Sequence, residues 1–241
     1  MKTIKLETQE LSYEMNEELK QLRANIQFCG ADKRVIMMTS AMAHEGKSVL
    51  SLELAQSFAE LGKRVLLLDI DMRKSVLTEK IIGNDKTVTG LSEYLSGQAT
   101  LEELVYHWEE GGIYAVFAGR VPPNPSELLA NDNMKALMED ARKDFDYVIV
   151  DCPPAGLVVD ASVIAPLCDG AIIIIKADTV SRGLAEDTVR KLERTECPIL
   201  GIVLNQVDTK RRGRYGRYRK YGYYGYYGYY GYTKKEDSKQ S

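Results

Sequence analysis

Along the chain, short runs of β-branched and aliphatic residues alternate with stretches whose apolar positions recur every three or four residues. The runs Val35–Thr39, Val65–Asp69, Tyr147–Asp151, Ala171–Lys176 and Ile199–Asn205 read as strands, and Lys47–Leu61, Ser126–Lys143, Ala161–Leu167 and Arg182–Glu193 read as helices. Sequences such as VLLLD and AIIIIK are apolar almost without interruption. A strand exposed on one face alternates, so these runs predict a parallel sheet covered on both sides. Strands separated by helices give parallel crossovers and a doubly wound α/β layer. Ahead of this pattern, Leu11, Met15, Leu19, Leu22 and Ile26 mark an amphipathic helix within residues 1–30.

After Asp208 the periodicity stops, and residues 209–241 are low in complexity, with glycine at every third position through GYYGYYGYYGY. Such a segment has no apolar face to bury, which predicts a flexible tail beyond a single domain over 31–208. Charge separates the same two parts. From Thr209 onward ten Lys or Arg stand against two acids, a net +8; the remainder holds 22 basic and 33 acidic residues, a net −11. Ten of the fifteen tyrosines also lie in the tail: Tyr215, Tyr218, Tyr221, Tyr223, Tyr224, Tyr226, Tyr227, Tyr229, Tyr230 and Tyr232.

Composition excludes several classes. The start, MKTIKLETQE, lacks the apolar core of a secretory signal. The apolar run Ala171–Ile175 is far shorter than the roughly 20 residues that span a bilayer. Cytoplasmic placement is therefore expected, with any membrane attachment made through a partner. Cys29, Cys152, Cys168 and Cys197 form no CxxC and no Cys/His pattern of metal-ligand spacing, which fits a reducing compartment. Arg/Tyr/Gly tracts also occur in nucleic-acid-binding tails. Here the basic block is short and the body acidic, so no nucleic acid is expected as a partner.

The chemistry concentrates where strands end. Gly46-Lys47-Ser48 lies between an apolar strand and an apolar-periodic helix, the setting of a phosphate-binding loop. There glycine lets backbone N–H groups approach phosphate oxygens, and the helix start favours negative charge. Ala43, His44, Glu45, Gly46, Lys47, Ser48 and Val49 would form this cradle, with Lys47 on the β- and γ-phosphates and Ser48 on Mg²⁺. The usual first glycine of the motif is Ala41 here. Asp69 and Asp71, with Arg73, follow one strand, and Asp151, with Pro153 and Pro154, follows another. Ligands of open α/β sheets bind outside the carboxyl ends of strands, so these acids should converge on the loop. Arg73 could anchor charge in the site or form a salt bridge to an acid. His44 reads as a loop residue, and His107 beside Trp108 as packing.

Taken together, SAMAHEGKS, LLLDIDMR and VIVDCPP resemble the three Walker-type motifs of bacterial tyrosine kinases, as do AGRVPPNPSELL, GIVLNQVD and the tyrosine-rich end. The resemblance implies a P-loop fold that uses ATP and Mg²⁺. Lys47 would stabilise the transferring phosphoryl group, Ser48 and Asp151 would hold Mg²⁺, and Asp71 would support metal or acceptor. Asp69 would take the tyrosine proton, and Asn205 would touch adenine. The tail tyrosines would be the acceptors, phosphorylated in trans; the roughly 80 Å reach of an extended chain from Asp208 to Tyr232 allows it. Glu17, Lys20 and Arg23 resemble the family's E-x-x-R-x-x-R contact of a homo-oligomeric ring, with lysine at the middle position. It further implies a separate membrane-embedded activator in capsule or exopolysaccharide synthesis, recruitment to the inner face of the plasma membrane, and a tyrosine phosphatase.

Two rivals share the fold. A partitioning or division-site ATPase carries KGGxGK[ST], whose signature lysine aligns with Met42, a residue without charge. A nucleotide-dependent scaffold without kinase activity would not need the full set of Lys47, Ser48, Asp69, Asp71 and Asp151.

Overall fold

A computed structural model describes residues 2–4, 11–78 and 88–207. The tail tyrosines and the expected flexibility of residues 209–241 lie outside the described residues. Met1–Gln206 forms one compact unit.

Among the described residues eight strands make one sheet: β1 (Lys2–Ile4), β2 (Val35–Ser40), β3 (Val65–Asp69), β4 (Tyr106–Trp108), β5 (Ile113–Val116), β6 (Tyr147–Asp151), β7 (Gly170–Lys176) and β8 (Ile199–Asn205). Their spatial order is β1-β4-β5-β3-β6-β2-β7-β8, and every pairing is parallel except β4 with β5. β2, β3 and β6 bury nearly every residue, which accounts for their unbroken apolar sequences. β8 is an edge strand and leaves Ile202 and Leu204 exposed.

The helices are α1 (Tyr13–Phe28), α2 (Lys47–Ala59), α3 (Leu91–Leu95), α4 (Leu101–Leu104), α5 (Pro125–Leu129), α6 (Asp132–Asp144), α7 (Asp160–Ile164) and α8 (Arg182–Glu193), with a 3₁₀ turn at Ala165–Leu167. Alternate residues of each strand feed two cores. Val35, Met37, Leu66, Leu68, Val148 and Val150 pack with residues of α3, α6 and α7. Ile36, Met38, Leu67 and Ile149 pack with Ile26 of α1 and Leu54, Ala55 and Phe58 of α2, whose ring stacks on Tyr147 at 3.9 Å.

β2 sits between β6 and β7, so the chain leaves it toward β3 on one side and later crosses to β7 on the other. That reversal opens a crevice at the carboxyl ends of the central strands. Asp69 and Asp151 face each other in register across β3 and β6, and Met38 of β2 pairs with Asp151. Three strand ends therefore meet above one point.

The sheet is larger than its five legible strands. β1 and the β4–β5 hairpin extend one edge, in runs of three and four residues too short for periodicity to show. The single helix expected over Ser126–Lys143 is two, α5 and α6, because the Asn131 side chain accepts a hydrogen bond from the Met134 amide at 3.0 Å and starts a new helix. The helix expected over Ala161–Leu167 starts at Asp160 and tightens into the 3₁₀ turn. His107 packs against Tyr114, ring centroids 4.7 Å apart.

Replacing Asn131 with Ala should cost about 1 kcal/mol of stability, the usual value of an N-cap side chain. A urea titration would show the midpoint falling with its slope unchanged.

Candidate active site

The phosphate loop follows β2 and turns into α2 through two left-handed residues, His44 (φ 64°) and Gly46 (φ 86°). At Gly46 a Cβ would stand 2.3 Å from Asn205 Nδ2, so glycine is required by backbone angle and by space. Ala41 has no positive φ, which is why an alanine suffices where the motif usually has its first glycine. A Cβ on Gly156 would meet the Ala41 carbonyl oxygen at 2.0 Å; the loop after β6 thus lies flush against the base of the phosphate loop.

The loop is braced from inside. Glu45 is buried, and its carboxylate accepts the Met42 amide (2.6 Å) and the Lys176 amide at the end of β7 (2.8 Å). Asn205 donates to the Glu45 carbonyl (2.8 Å), and its own side-chain oxygen accepts the Gln206 amide (2.9 Å). The Glu45 carboxylate and the Asn205 amide, both expected beside nucleotide, are thus engaged in holding the loop. Met42, Ala43, His44 and Val49 form its exposed crown.

Beneath the loop, Lys47 is buried with three carboxylates. Its Nζ lies 3.2 Å from Asp71 Oδ2, 3.9 Å from Asp151 Oδ2 and 3.2 Å from Ser48 Oγ. Burial pulls the lysine pKa down, but Asp151, Asp71 and Asp69 together outweigh it and leave it above its ordinary value. Asp69 is pushed up to about 7, first by burial and then by the charge of Asp151. It accepts hydrogen bonds from the Asp71 amide (3.0 Å) and the Ser75 hydroxyl. Burial also raises Asp151, whose Oδ1 accepts from Ser51 (3.1 Å). Its Oδ2 is buried and accepts no hydrogen bond among the described residues, the Lys47 ammonium standing 3.9 Å away.

That orphaned oxygen, with the Ser48 hydroxyl near it, suits a hard divalent cation. Among the described residues no group of three or more His, Cys, Asp or Glu side chains is arranged to hold a metal. One hydroxyl and one carboxylate are a donor set of the kind Mg²⁺ takes, since that ion uses one or two carboxylates and completes its shell with phosphate oxygens and water.

Arg73 forms the salt bridge that its alternative reading anticipates. Its guanidinium makes two hydrogen bonds to buried Asp160 (2.6 and 2.9 Å) and one to Ser126 (3.0 Å). Burial pushes Asp160 up, yet the Arg73 and Ser126 hydrogen bonds hold its carboxyl below the usual range. Asp160, Ser126, Ser51 and Ser75 are the residues that sequence reading missed. Ser51 alone left a signal, four residues after Lys47 on the same face of α2.

On α1, Lys20 pairs with Glu17 in the open (2.8 Å), but Arg23 turns inward and bonds the Ser57 carbonyl and, at 3.0 Å, its hydroxyl on α2. Among the three residues of the expected oligomer contact, Arg23 thus holds α1 to its own chain.

With this geometry in view, the comparisons with known proteins are specific. Residues 33–197 match the AAA domain family. Tyrosine-protein kinase CpsD of Streptococcus agalactiae is 40% identical over 189 residues, which cover 78% of this chain and 81% of that protein. The chain belongs to the bacterial tyrosine kinase family. The kinase domain of Escherichia coli tyrosine kinase ETK superposes with a TM-score of 0.72 at 31% identity, covering 80% of this chain and 77% of that one. A putative tyrosine-protein kinase in the cps region of Klebsiella pneumoniae is 32% identical over 83% of this chain, but the match spans only 28% of that longer protein.

The raised Asp69 pKa fixes a sign. The folded protein holds this proton up to about pH 7, whereas an unfolded chain releases it near the ordinary value of 3.8, so stability falls as pH rises between them. Asp69→Asn should therefore stabilise the nucleotide-free protein at pH 8 by about 1 kcal/mol or more, roughly 2–4 °C in Tm for a domain of this size. Thermal melts at pH 8 and pH 5 should show the gap narrowing at the lower pH.

Proposed function

We propose that this kinase transfers the γ-phosphoryl group of ATP to the tyrosines of its own C-terminal segment, from one copy to another, and thereby regulates the synthesis of capsular or extracellular polysaccharide. One observation carries the reading: Lys47 lies buried among three strand-end carboxylates, 3.2 Å from Asp71 and 3.9 Å from Asp151, under a loop built to hold phosphates. Phosphoryl transfer asks a protein mainly for positioning and charge stabilisation, and this arrangement supplies both.

In this reading Lys47 leaves Asp71 for the β- and γ-phosphates when nucleotide enters, and backbone amides of Ala43–Ser48 face the same oxygens. Ser48 and Asp151 would hold Mg²⁺, with Asp71 in support once its lysine has moved. When bound, the ion would offset charge on the phosphate oxygens. Asp69 takes the proton from the acceptor hydroxyl; a carboxylate whose pKa stands at about 7 is matched to that task near neutral pH. Ser75 and the Asp71 amide aim it. Arg73 holds the loop through Asp160, and Asn205 fixes the cradle from beneath.

The acceptors are the ten tyrosines between Tyr215 and Tyr232. Each phosphate adds about −1.5 to −2 charges, so four or five offset the tail's +8. An unmodified tail is drawn to the acidic body of a neighbour, and a modified one is repelled. The exposed Glu17–Lys20 pair on α1 would face the neighbour in a homo-oligomeric ring. No described helix is long and apolar enough to cross a membrane. A separate membrane-embedded activator would bring the kinase to the inner face of the plasma membrane, and a tyrosine phosphatase would reset the tail. The cps-region relative supports the link to capsule.

Intact-mass spectrometry after incubation with ATP and Mg²⁺, with and without an activator fragment, tests the reading. A ladder of phosphate additions mapping to Tyr215–Tyr232 is expected in the wild type, with a loss of at least about 100-fold in Lys47→Met. Consumption of ATP without phosphate on the tail would overturn it in favour of an ATPase switch.

A further inference from the structure

A groove of about 500 Å³ lies outside the site described so far, between α3 and the segment running from Arg120 into α5 and on to Asn131. One wall offers Val121, Pro122, Pro123 and Leu128, and Glu93 and Glu127 stand in its lining. Val121 is 71% exposed although it is wholly apolar. Arg120, the cation of the lining, lies 3.7 Å from Glu93, while Glu127 has no ion-pair partner among the described residues. The groove thus combines rigid proline rings with an exposed acid that has no cationic partner among the described residues, its carboxylate accepting the Asn124 side-chain amide (3.0 Å). Such a surface suits an extended peptide with aromatic and basic side chains, since aromatic faces add both area and cation contacts.

One helix links the groove to the loop of the strand-end carboxylates. α5 supplies Glu127 and Leu128 to the groove, and its Ser126 hydroxyl bonds both Arg73 (3.0 Å) and Asp160 (2.6 Å). Arg73 is two residues from Asp71.

We propose that this groove docks the tyrosine-bearing segment Gly213–Tyr232 of a second copy and sets which tyrosine reaches Asp69. The proposal rests on the reading of that segment as substrate. Two properties of the sequence select it as the occupant. Gly213–Tyr232 carries four Lys or Arg and no acid, complementary to Glu127. Its later part repeats Gly-Tyr-Tyr, and three extended residues span about 10 Å. With one part of the repeat held on the prolines, a shift of the bound chain by one triplet presents the next pair of tyrosines to the same place. The repeat and the groove together allow several acceptors to be served by one active site.

The test uses full-length protein throughout. Val121→Lys/Glu127→Lys alters two exposed side chains and adds charge that repels the tail. Leu61→Lys/Glu193→Lys adds equal charge on other surfaces and serves as control. First, a fluorescent Gly213–Tyr232 peptide is titrated into inactive Lys47→Met protein bearing either pair. Second, the active forms are assayed for phosphorylation of a Lys47→Met copy. The groove pair should weaken peptide binding at least 5-fold and raise KM for the copy by a similar factor, with nucleotide affinity and kcat retained; the control pair should change both little. Equal peptide affinity in the two pairs overturns the docking groove. Absence of tail phosphorylation in the wild type would overturn the substrate reading instead, and the peptide titration, which needs no activity, still decides the groove.

Discussion

The architecture turns on one buried charge cluster, in which the Lys47 ammonium is surrounded by Asp69, Asp71 and Asp151. Removing charges from water is costly, and a group of three acids with one lysine does not neutralise itself. The fold accommodates the imbalance by bringing the acids together at strand ends, where Ser51, Ser75 and backbone amides share the load. The raised Asp69 and Asp151 pKa values measure what is left uncompensated. The same imbalance concentrates negative charge in the crevice around a single lysine. Catalytic aptitude and reduced stability are thus one property of the sheet's carboxyl edge.

Around that cluster several polar side chains hold the frame. Those of Glu45 and Asn205 close on the Met42 and Lys176 amides and on the Glu45 carbonyl. Arg73 likewise ties the loop after β3 to α5 and α7 through Ser126 and Asp160. Apart from the Met42–Glu45 bond, these contacts join elements far apart in sequence.

This explains what the sequence revealed and what it withheld. Four central strands, β2, β3, β6 and β7, were legible because burial on both faces leaves a nearly unbroken apolar run, and β8 because its edge position still keeps aliphatic residues in sequence. Lys47, Ser48, Asp69, Asp71 and Asp151 were legible from their spacing at strand ends and at the start of α2. β1 and the β4–β5 hairpin were not, since strands of three or four residues carry too little pattern. The break between α5 and α6 was concealed by helical periodicity on both sides, with Asn131 its only mark. Asp160 and the bridging serines follow no motif, and their roles depend on tertiary neighbours. Arg23 had a signal of its own: Leu19, Arg23 and Ile26 are spaced to share one helix face, and Leu19 and Ile26 are buried.

The close fit of Gly156 against Ala41 and of Gly46 against Asn205 has a kinetic consequence. A cradle wedged between two neighbours and pinned by Glu45 has little room to reshape itself around an arriving nucleotide. Its amides are fixed in direction before the encounter, so little ordering entropy is lost on binding. Related nucleotides will then share similar arrival rates, and the kinase will distinguish them by how long each one stays.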